Sequence, residues 1–77
     1  MTDEHKLTQW VIYFGATNHP PGTWVVRAWD ILPGKLVPHA LMHECRSLFE
    51  ARCKVPEGLF RLNRQPDDDP CIVEVWI

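Results

Sequence analysis

Two histidines, His39 and His43, are four residues apart, a spacing that could support metal chemistry. On a helix, positions i and i+4 lie on one side, so both imidazoles could reach a single metal ion. No third ligand is available nearby, because Ala40 occupies the position where a metalloprotease helix carries its glutamate, and Cys45 belongs to an apolar stripe. We therefore expect solvent-facing histidines and no cofactor, and His39 and His43 remain weak candidate metal ligands.

The three cysteines, Cys45, Cys53 and Cys71, leave one thiol unpaired in any disulfide scheme. Cys45 and Cys53 fall on what reads as one helix, about 12 Å apart in rise, whereas a disulfide needs Cα atoms within about 7 Å. A nucleophilic thiol must be exposed and close to a base. Because all three lie in apolar stretches, the sequence predicts reduced, buried thiols and no catalytic cysteine.

A run of carboxylates, Asp67 to Asp69, could attract a hard cation. It lacks the ligand spacing and the glycine of a calcium-binding loop. We expect a solvated acidic connection, which would also keep the adjoining strand from pairing with other chains.

The most specific feature is a set of charged and aromatic residues that one shared antiparallel sheet would bring to the same face. Its members are Arg27, Trp29, Arg61, Glu74 and Trp76. Binding surfaces are rich in aromatic rings and arginine, and a bare face of this kind exposes more apolar area than a monomer normally tolerates. Three alternatives remain open: a homodimer interface, a small-molecule or peptide site, and an Arg27–Glu74 ion pair with the tryptophans stacked flat.

The strand that must carry Arg27 and Trp29 is Thr23 to Ile31, which is rich in Trp, Val and Ile and flanked by Pro and Gly. Side chains alternate along it, so the set of Trp24, Val26 and Ala28 faces away from Arg27 and Trp29. We expect it to be the central strand. Leu7 to Phe14 predicts a first strand, joined to it as a hairpin by the loop Gly15 to Gly22. We expect a plain surface loop; the alternatives are that it folds over an edge of the sheet or presents Asn18 and His19.

The apolar spacing from Pro38 to about Cys53 predicts a helix, with Arg46 and Glu50 spaced for an i,i+4 pair. Arg52 falls inside the apolar arc and is expected either to extend its charged end to solvent or to meet a carboxylate at the edge of the sheet. Two further strands follow, Leu59 to Asn63, with Phe60 and Leu62 pointing inward, and Cys71 to Ile77, with Glu74 and Trp76 on the face opposite the helix.

The predicted fold class is therefore α+β: a four-stranded, mainly antiparallel sheet with the chain order β-β-α-β-β and one helix packed on one face. The 77 residues form one domain, in which the polar residues 1–6 are expected to be disordered. They lead into no long apolar run, so neither a signal peptide nor a membrane-spanning helix is expected, and we predict a cytoplasmic protein. The net charge of −2 argues against binding to nucleic acid or to an anionic membrane.

Three segments, W-V-V-R-A-W, E-A-R-C-K-V-P-E-G-L-F-R-L and D-D-D-P-C-I-V-E-V-W-I, resemble recurring parts of a set of short bacterial proteins of unknown function. The resemblance covers most of Thr23 to Ile77 and implies no reaction, so no catalytic residue is carried over. We expect a non-enzymatic bacterial or phage interaction module that forms a homodimer through its uncovered face or an edge strand. The alternative is a small-ligand-binding domain or an enzyme that uses Arg27, Arg61, Glu74 and the tryptophans.

Overall fold

The computed structural model describes residues 7–15, 18–62 and 69–77. Within these ranges the chain forms five strands and one short helix: β1 Leu7–Phe14, β2 Trp24–Leu32, β3 Lys35–Cys45, α1 Leu48–Cys53, β4 Arg61–Leu62 and β5 Ile72–Trp76. The strands form one sheet in the order β3-β2-β1-β5-β4, and every neighbouring pair is antiparallel. The predicted α+β class, with an antiparallel sheet and one helix, is confirmed. The predicted disorder of residues 1–6 falls outside the described residues.

The first hairpin forms as predicted. β1 has the predicted bounds, and its residues pair with β2 from Leu7 opposite Ile31 to Phe14 opposite Trp24. β1 lies in the middle of the sheet, however, because β5 pairs with its other side. The strand predicted as central, Thr23 to Ile31, is an internal strand one position away from the middle.

The predicted helix from Pro38 to Cys53 is wrong over its first half. Residues 35–45 form β3, which returns along β2 after a turn at Pro33 and Gly34, where Leu32 pairs with Lys35. Gly34 has a φ of 76°, which glycine adopts without steric cost after a proline in a tight turn. Pro38 is tolerated because an edge strand does not need its N–H for pairing. The chain order is therefore β-β-β-α-β-β, with five strands instead of four.

The helix itself is short and begins at an N-cap serine, Ser47. The side chain of Ser47 accepts a hydrogen bond from the Glu50 backbone N–H over 3.0 Å, and the Glu50 carboxylate accepts one from the Arg46 backbone N–H over 2.9 Å. The i,i+4 side-chain pair predicted for Arg46 and Glu50 is therefore wrong, because Arg46 precedes the helix and contacts Glu50 through its backbone N–H. Starting at this cap, α1 places Ala51 in the core.

The core lies between the sheet and α1. It consists of Ile12, Val26, Cys45 and Ala51, with Trp10, Trp24, Leu48, Val55, Val73 and Trp76 packed around them. The prediction that the Trp24, Val26 and Ala28 side of β2 meets the helix is confirmed. We call this side of the sheet the helix face and the other side the open face.

The side-chain assignment predicted for the last two strands is wrong. Trp10 pairs with Trp76, and Ile12 pairs with Glu74, so both β5 residues lie on the helix face. Phe60 and Leu62, predicted to point inward, are 78% and 44% exposed. A shift of one residue in register reverses every side chain of a strand, and the sequence of β5 is apolar on both sides, so its composition does not determine its orientation.

Candidate functional site

The five predicted site residues are brought together as two groups on opposite faces of the sheet. Arg27 and Trp29 lie on the open face, whereas Arg61, Glu74 and Trp76 lie on the helix face. The predicted Arg27–Glu74 ion pair therefore does not form. The binding role expected for these residues stays a prediction.

On the helix face, Glu74 is the only buried charged residue among the described ones, with 6% of its surface exposed. The Arg52 guanidinium donates to both carboxylate oxygens, with Nε at 3.0 and 3.2 Å and Nη2 on Oε2 as well. The indole N–H of Trp76 donates to Oε1 at 3.1 Å, and Nη1 of Arg61 lies 3.4 Å from Oε2. Of the two alternatives expected for Arg52, contact with a carboxylate is confirmed.

This environment keeps Glu74 ionised. The hydrogen bonds from Arg52 lower the pKa of Glu74, and the Trp76 N–H and the charges of Arg52 and Arg61 act in the same direction, against the raising effect of burial. The same contact raises the pKa of Arg52. A carboxylate held in this way is neither a proton donor nor a base near neutral pH, so the cluster anchors α1 to β5 and has no feature of an acid–base site.

On the open face, Trp29 and Tyr13 lie diagonally on neighbouring strands, on either side of the Val11–Arg27 pair. The Trp29 indole N–H donates to the Tyr13 hydroxyl over 2.9 Å, which requires both rings to extend over Val11. Val11 is accordingly only 2% exposed. The alternative of an Arg27–Glu74 ion pair with stacked tryptophans is wrong, because Glu74 and Trp76 lie on the helix face.

Arg27 is held beside these rings. Its Nε donates to the carbonyl oxygen of His39 over 2.6 Å, and its guanidinium carbon lies 5.7 Å from the centroid of the Trp29 ring, within the range of a cation–π interaction. None of the ion pairs formed by the described residues involves Arg27. Its two terminal nitrogens therefore remain available to a bound anion.

The β1–β2 loop folds over the open face. Nδ1 of His19 lies 2.6 Å from Oε2 of Glu44 on β3, and only 14% of the His19 side chain is exposed. Because a carboxylate accepts hydrogen bonds, Nδ1 carries the proton in this contact, and the other ring nitrogen, Nε2, is left for another partner. The loop thus presents His19 to the open face, which is one of the alternatives to the plain surface loop expected from the sequence.

These elements enclose a cleft of about 540 Å³ at one end of the open face. Its floor is built from neighbouring positions on three adjacent strands, and its walls come from the β1–β2 loop and from the segment that enters β5. The lining residues are Tyr13, Asn18, His19, Val25, Arg27, Met42, Asp69 and Cys71. The volume falls within the range of roughly 300–1,000 Å³ that is typical of small-molecule sites.

Burial raises the pKa of Tyr13, the phenol in the cleft. The hydrogen bond from Trp29 and the charge of Arg27 lower it in part, and the charge of Asp69 raises it. The net effect is a pKa above the ordinary value, so the hydroxyl is protonated near neutral pH. Since its oxygen already accepts from Trp29, its O–H can donate to a ligand.

The histidines and cysteines form no metal site in the part of the chain that the structure describes. His39 lies in a β-bulge and contacts Asp30 through Nε2 at 2.9 Å, and His43 pairs with Val26 toward the helix face. The predicted helical juxtaposition of His39 and His43 is therefore wrong. No cluster of three or more His, Cys, Asp or Glu side chains in the described ranges is arranged to hold a metal ion.

All three cysteines are free thiols, as predicted, but only Cys45 is buried. Burial raises the pKa of Cys45, and the charge of Glu50 raises it further, so this thiol is not a thiolate near neutral pH. Cys53 is exposed and Cys71 lines the cleft, which corrects the prediction that both are buried. Cys53 is exposed because it ends a helix of one and a half turns, too short to bury it beneath the sheet.

The outer edge of β3 is a second candidate surface. β3 is 11 residues long and lies at the end of the sheet, so within the described ranges only β2 pairs with it. Four of its apolar side chains are exposed, at 51% for Leu36, 36% for Val37, 69% for Leu41 and 38% for Met42. The opposite edge, β4, has only two residues.

Sequence reasoning missed most of the cleft. The sequence did not identify Tyr13 and Met42 as site residues, nor Glu44, which contacts His19. Asp69 was expected only to form part of a solvated acidic connection. The other two residues of that connection, Asp67 and Asp68, lie outside the described residues. The signal for Tyr13 was present, because a β1–β2 hairpin places it on the same face as Arg27. Met42 and Glu44 could not be found while their segment was assigned to a helix.

Comparison of the chain with protein-family models, with curated proteins and with solved structures gives no match. The resemblance of Thr23 to Ile77 to short bacterial proteins therefore stays a prediction. Among the described residues, no helix is long and apolar enough to cross a membrane.

Proposed function

We propose that the protein is a non-enzymatic interaction module that pairs with a second copy of itself along β3. The observation that supports this most strongly is the edge itself, which offers the unpaired side of an 11-residue strand together with exposed leucine and methionine side chains. Proteins normally protect such edges with short strands, charges, prolines, bulges or cover, because an open edge pairs readily with another chain. β3 carries Lys35, Pro38 and a bulge, but at 11 residues it is long for an edge strand. The cytoplasmic location expected from the sequence forms part of the same proposal.

The irregularity within β3 favours pairing about a two-fold axis. The register shifts between Arg27 and Trp29, so that residues 39–41 bulge at the centre of β3 and straight segments 35–38 and 42–45 lie on either side. Antiparallel pairing of two copies about this centre places segment 35–38 of one copy beside segment 42–45 of the other, with Pro38, which has no N–H to donate, at the end of the paired segment nearest the axis. The bulge then lies on the axis, where it interrupts neither paired segment.

The charges on β3 fit the same arrangement. Lys35 at its start and Glu44 near its end are the strand's two oppositely charged side chains, apart from its histidines. Antiparallel pairing brings Lys35 of one copy close to Glu44 of the other, whereas parallel pairing would place like charges together. The open face supports a dimer less well, because its central residues Val11 and Val25 are already 2% exposed in the single chain.

The test is the oligomeric state of the protein across a concentration series, measured by light scattering coupled to size exclusion. We expect the wild-type chain to show twice the mass of a monomer at micromolar concentration. The double variant Leu36→Lys with Leu41→Lys is expected to be monomeric, because lysines on an edge strand oppose pairing. A monomeric wild-type protein at high micromolar concentration would contradict the proposal.

The matched control is the double variant Phe49→Lys with Phe60→Lys. These two side chains are even more exposed, at 77% and 78%, but lie on α1 and beside β4. We expect this variant to remain dimeric. If it dissociates while the β3 variant does not, the interface lies elsewhere and pairing along β3 is wrong.

A further inference from the structure

The cleft on the open face has a built polar lining. Tyr13 pairs directly with Val25, and Arg27 pairs with Met42, so a phenol, a guanidinium and two apolar side chains occupy adjoining positions on three strands. Sites on regular strands hold side chains more precisely than sites on loops do. The floor therefore combines an apolar surface with fixed hydrogen-bond donors.

Three polar groups in the floor and in the loop wall are oriented by partners outside the cleft. Trp29 holds Tyr13 at 2.9 Å, the carbonyl of His39 holds Nε of Arg27 at 2.6 Å, and Glu44 holds Nδ1 of His19 at 2.6 Å. Partners of this kind fix a donor before the ligand arrives, which reduces the entropy lost on binding. The groups left for a ligand are the terminal nitrogens of Arg27, the O–H of Tyr13 and Nε2 of His19.

The cleft is also bipolar. Asp69 lines the wall that leads into β5, and the charges of Asp69 and Arg27 act on Tyr13 with opposite sign. One oxygen of Asp69 accepts the backbone N–H of Cys71 over 2.9 Å, which fixes the carboxylate and leaves its other oxygen. The lining of the cleft therefore carries one positive and one negative group, and both act on the phenol of Tyr13.

We infer that this cleft binds a small zwitterion of the amino-acid type, with its carboxylate on Arg27 and Tyr13 and its ammonium group near Asp69. The guanidinium offers two parallel N–H donors, which match the two oxygens of a carboxylate. Met42, which is 38% exposed, provides an apolar contact for the side chain of the ligand. A simple anion would meet the repulsion of Asp69, and a simple cation that of Arg27, so the arrangement selects a molecule that carries both charges.

The test compares the binding of L-leucine with that of two analogues of the same shape. Binding is measured from the shifts of backbone amide resonances in the isotope-labelled full chain. 4-Methylpentanoate lacks the amino group, and 3-methylbutylamine lacks the carboxylate. We expect leucine to bind with a millimolar dissociation constant and to shift the amides of Tyr13, Val25 and Arg27. 4-Methylpentanoate is expected to bind more weakly, and 3-methylbutylamine not to bind. Equal binding of the amine, or shifts confined to residues outside the cleft, would overturn the inference.

Two variants assign the two ends of the ligand. Arg27→Gln should weaken leucine binding about tenfold or more, because it removes the charge-assisted contacts to the carboxylate. Asp69→Asn should abolish the preference for leucine over 4-methylpentanoate. Arg46→Gln, which removes an exposed guanidinium outside the cleft, is the control and should leave affinity unchanged.

The amide spectrum also reports whether each variant folds. If Arg27→Gln does not fold, Arg27→Lys replaces it, and the loss of the planar fork should still weaken leucine binding. If neither variant folds, the ranking of the three wild-type ligands decides the question. Unchanged leucine affinity in a folded Arg27 variant, or a retained preference for leucine in Asp69→Asn, would show that the assignment is wrong.

Discussion

The indole N–H of Trp29 and the hydroxyl of Tyr13 are joined by a hydrogen bond of 2.9 Å that spans the Val11–Arg27 pair on the open face. This bond covers Val11 without a helix, and it orients the phenol that lines the cleft. The side of the sheet that appeared bare in the sequence is therefore covered in part by its own side chains.

Replacing Trp29 with Phe should raise the pKa of Tyr13 further above its ordinary value. The hydrogen bond from Trp29 lowers this pKa, so its removal leaves the raising effect of burial less opposed. We also expect a loss of about 1 kcal/mol in the free energy of unfolding, the usual contribution of one hydrogen bond. Because Tyr13 is the only tyrosine in the chain, the absorbance of phenolate against pH reports its titration directly.

The control for this titration is Trp24→Phe, which removes an indole from the helix face, where Trp24 contacts Phe14. That variant should leave the titration of Tyr13 unchanged. Identical titration curves for Trp29→Phe and the wild type would mean that the bond does not form in solution.

Removing the guanidinium of Arg52 should destabilise the fold more than removing that of Arg61. Arg52→Met leaves the buried Glu74 carboxylate without its main partner. We expect the free energy of unfolding to fall by about 2 kcal/mol. This is less than the cost of breaking a fully buried pair, because the Arg52 side chain is 44% exposed. Arg61 lies 3.4 Å from Glu74 and is 54% exposed, so Arg61→Met should cost about 0.5 kcal/mol or less. Urea unfolding near neutral pH measures both.

The same pair determines how stability depends on acid. The pKa of Glu74 is lowered in the folded state, so the unfolded state takes up the proton first as the pH falls. The stabilisation from the contact of Glu74 with Arg52 is present above the pKa of about 4.3 that a glutamate has in the unfolded chain. It is lost as the pH falls through the lower pKa of Glu74 in the folded state. In Arg52→Met this acid-dependent loss should shrink, and an unchanged pH profile would contradict the assigned role of Arg52.

Gly34→Ala should destabilise the protein by about 1 kcal/mol. Gly34 has a φ of 76°, which an L-residue with a Cβ adopts only with strain, although no neighbouring atom lies within 4 Å of the added carbon. Thermal or urea unfolding of the chemically synthesised chain checks this value. The matched control is D-alanine at the same position, which suits a positive φ and should stabilise by about 0.5 kcal/mol through the unfolded state.

This comparison tests the turn that makes β3 a strand. If L-alanine and D-alanine have the same effect on stability, Gly34 does not hold a left-handed turn, and the β2–β3 hairpin is wrong.

Local chemistry determined several elements from the sequence alone. The composition and alternation of Leu7 to Phe14 predicted the bounds of β1, and the same alternation placed Trp24, Val26 and Ala28 toward the helix. Contact of Arg52 with a carboxylate was one of two expected outcomes, because a charge within an apolar arc must reach either solvent or a partner. These predictions succeeded because each depends on residues that are close together in the chain.

Tertiary structure decided what depends on distant residues. The apolar spacing of Leu41, Met42 and Cys45 fits a helix as well as a strand, and pairing with β2 selected the strand. Glu74 and Trp76 lie on the helix face because the register with β1 places them there, which the apolar sequence of β5 does not specify. The cleft needs both that sheet and a loop folded over it, so Tyr13, Arg27 and Asp69 become neighbours only in the folded chain.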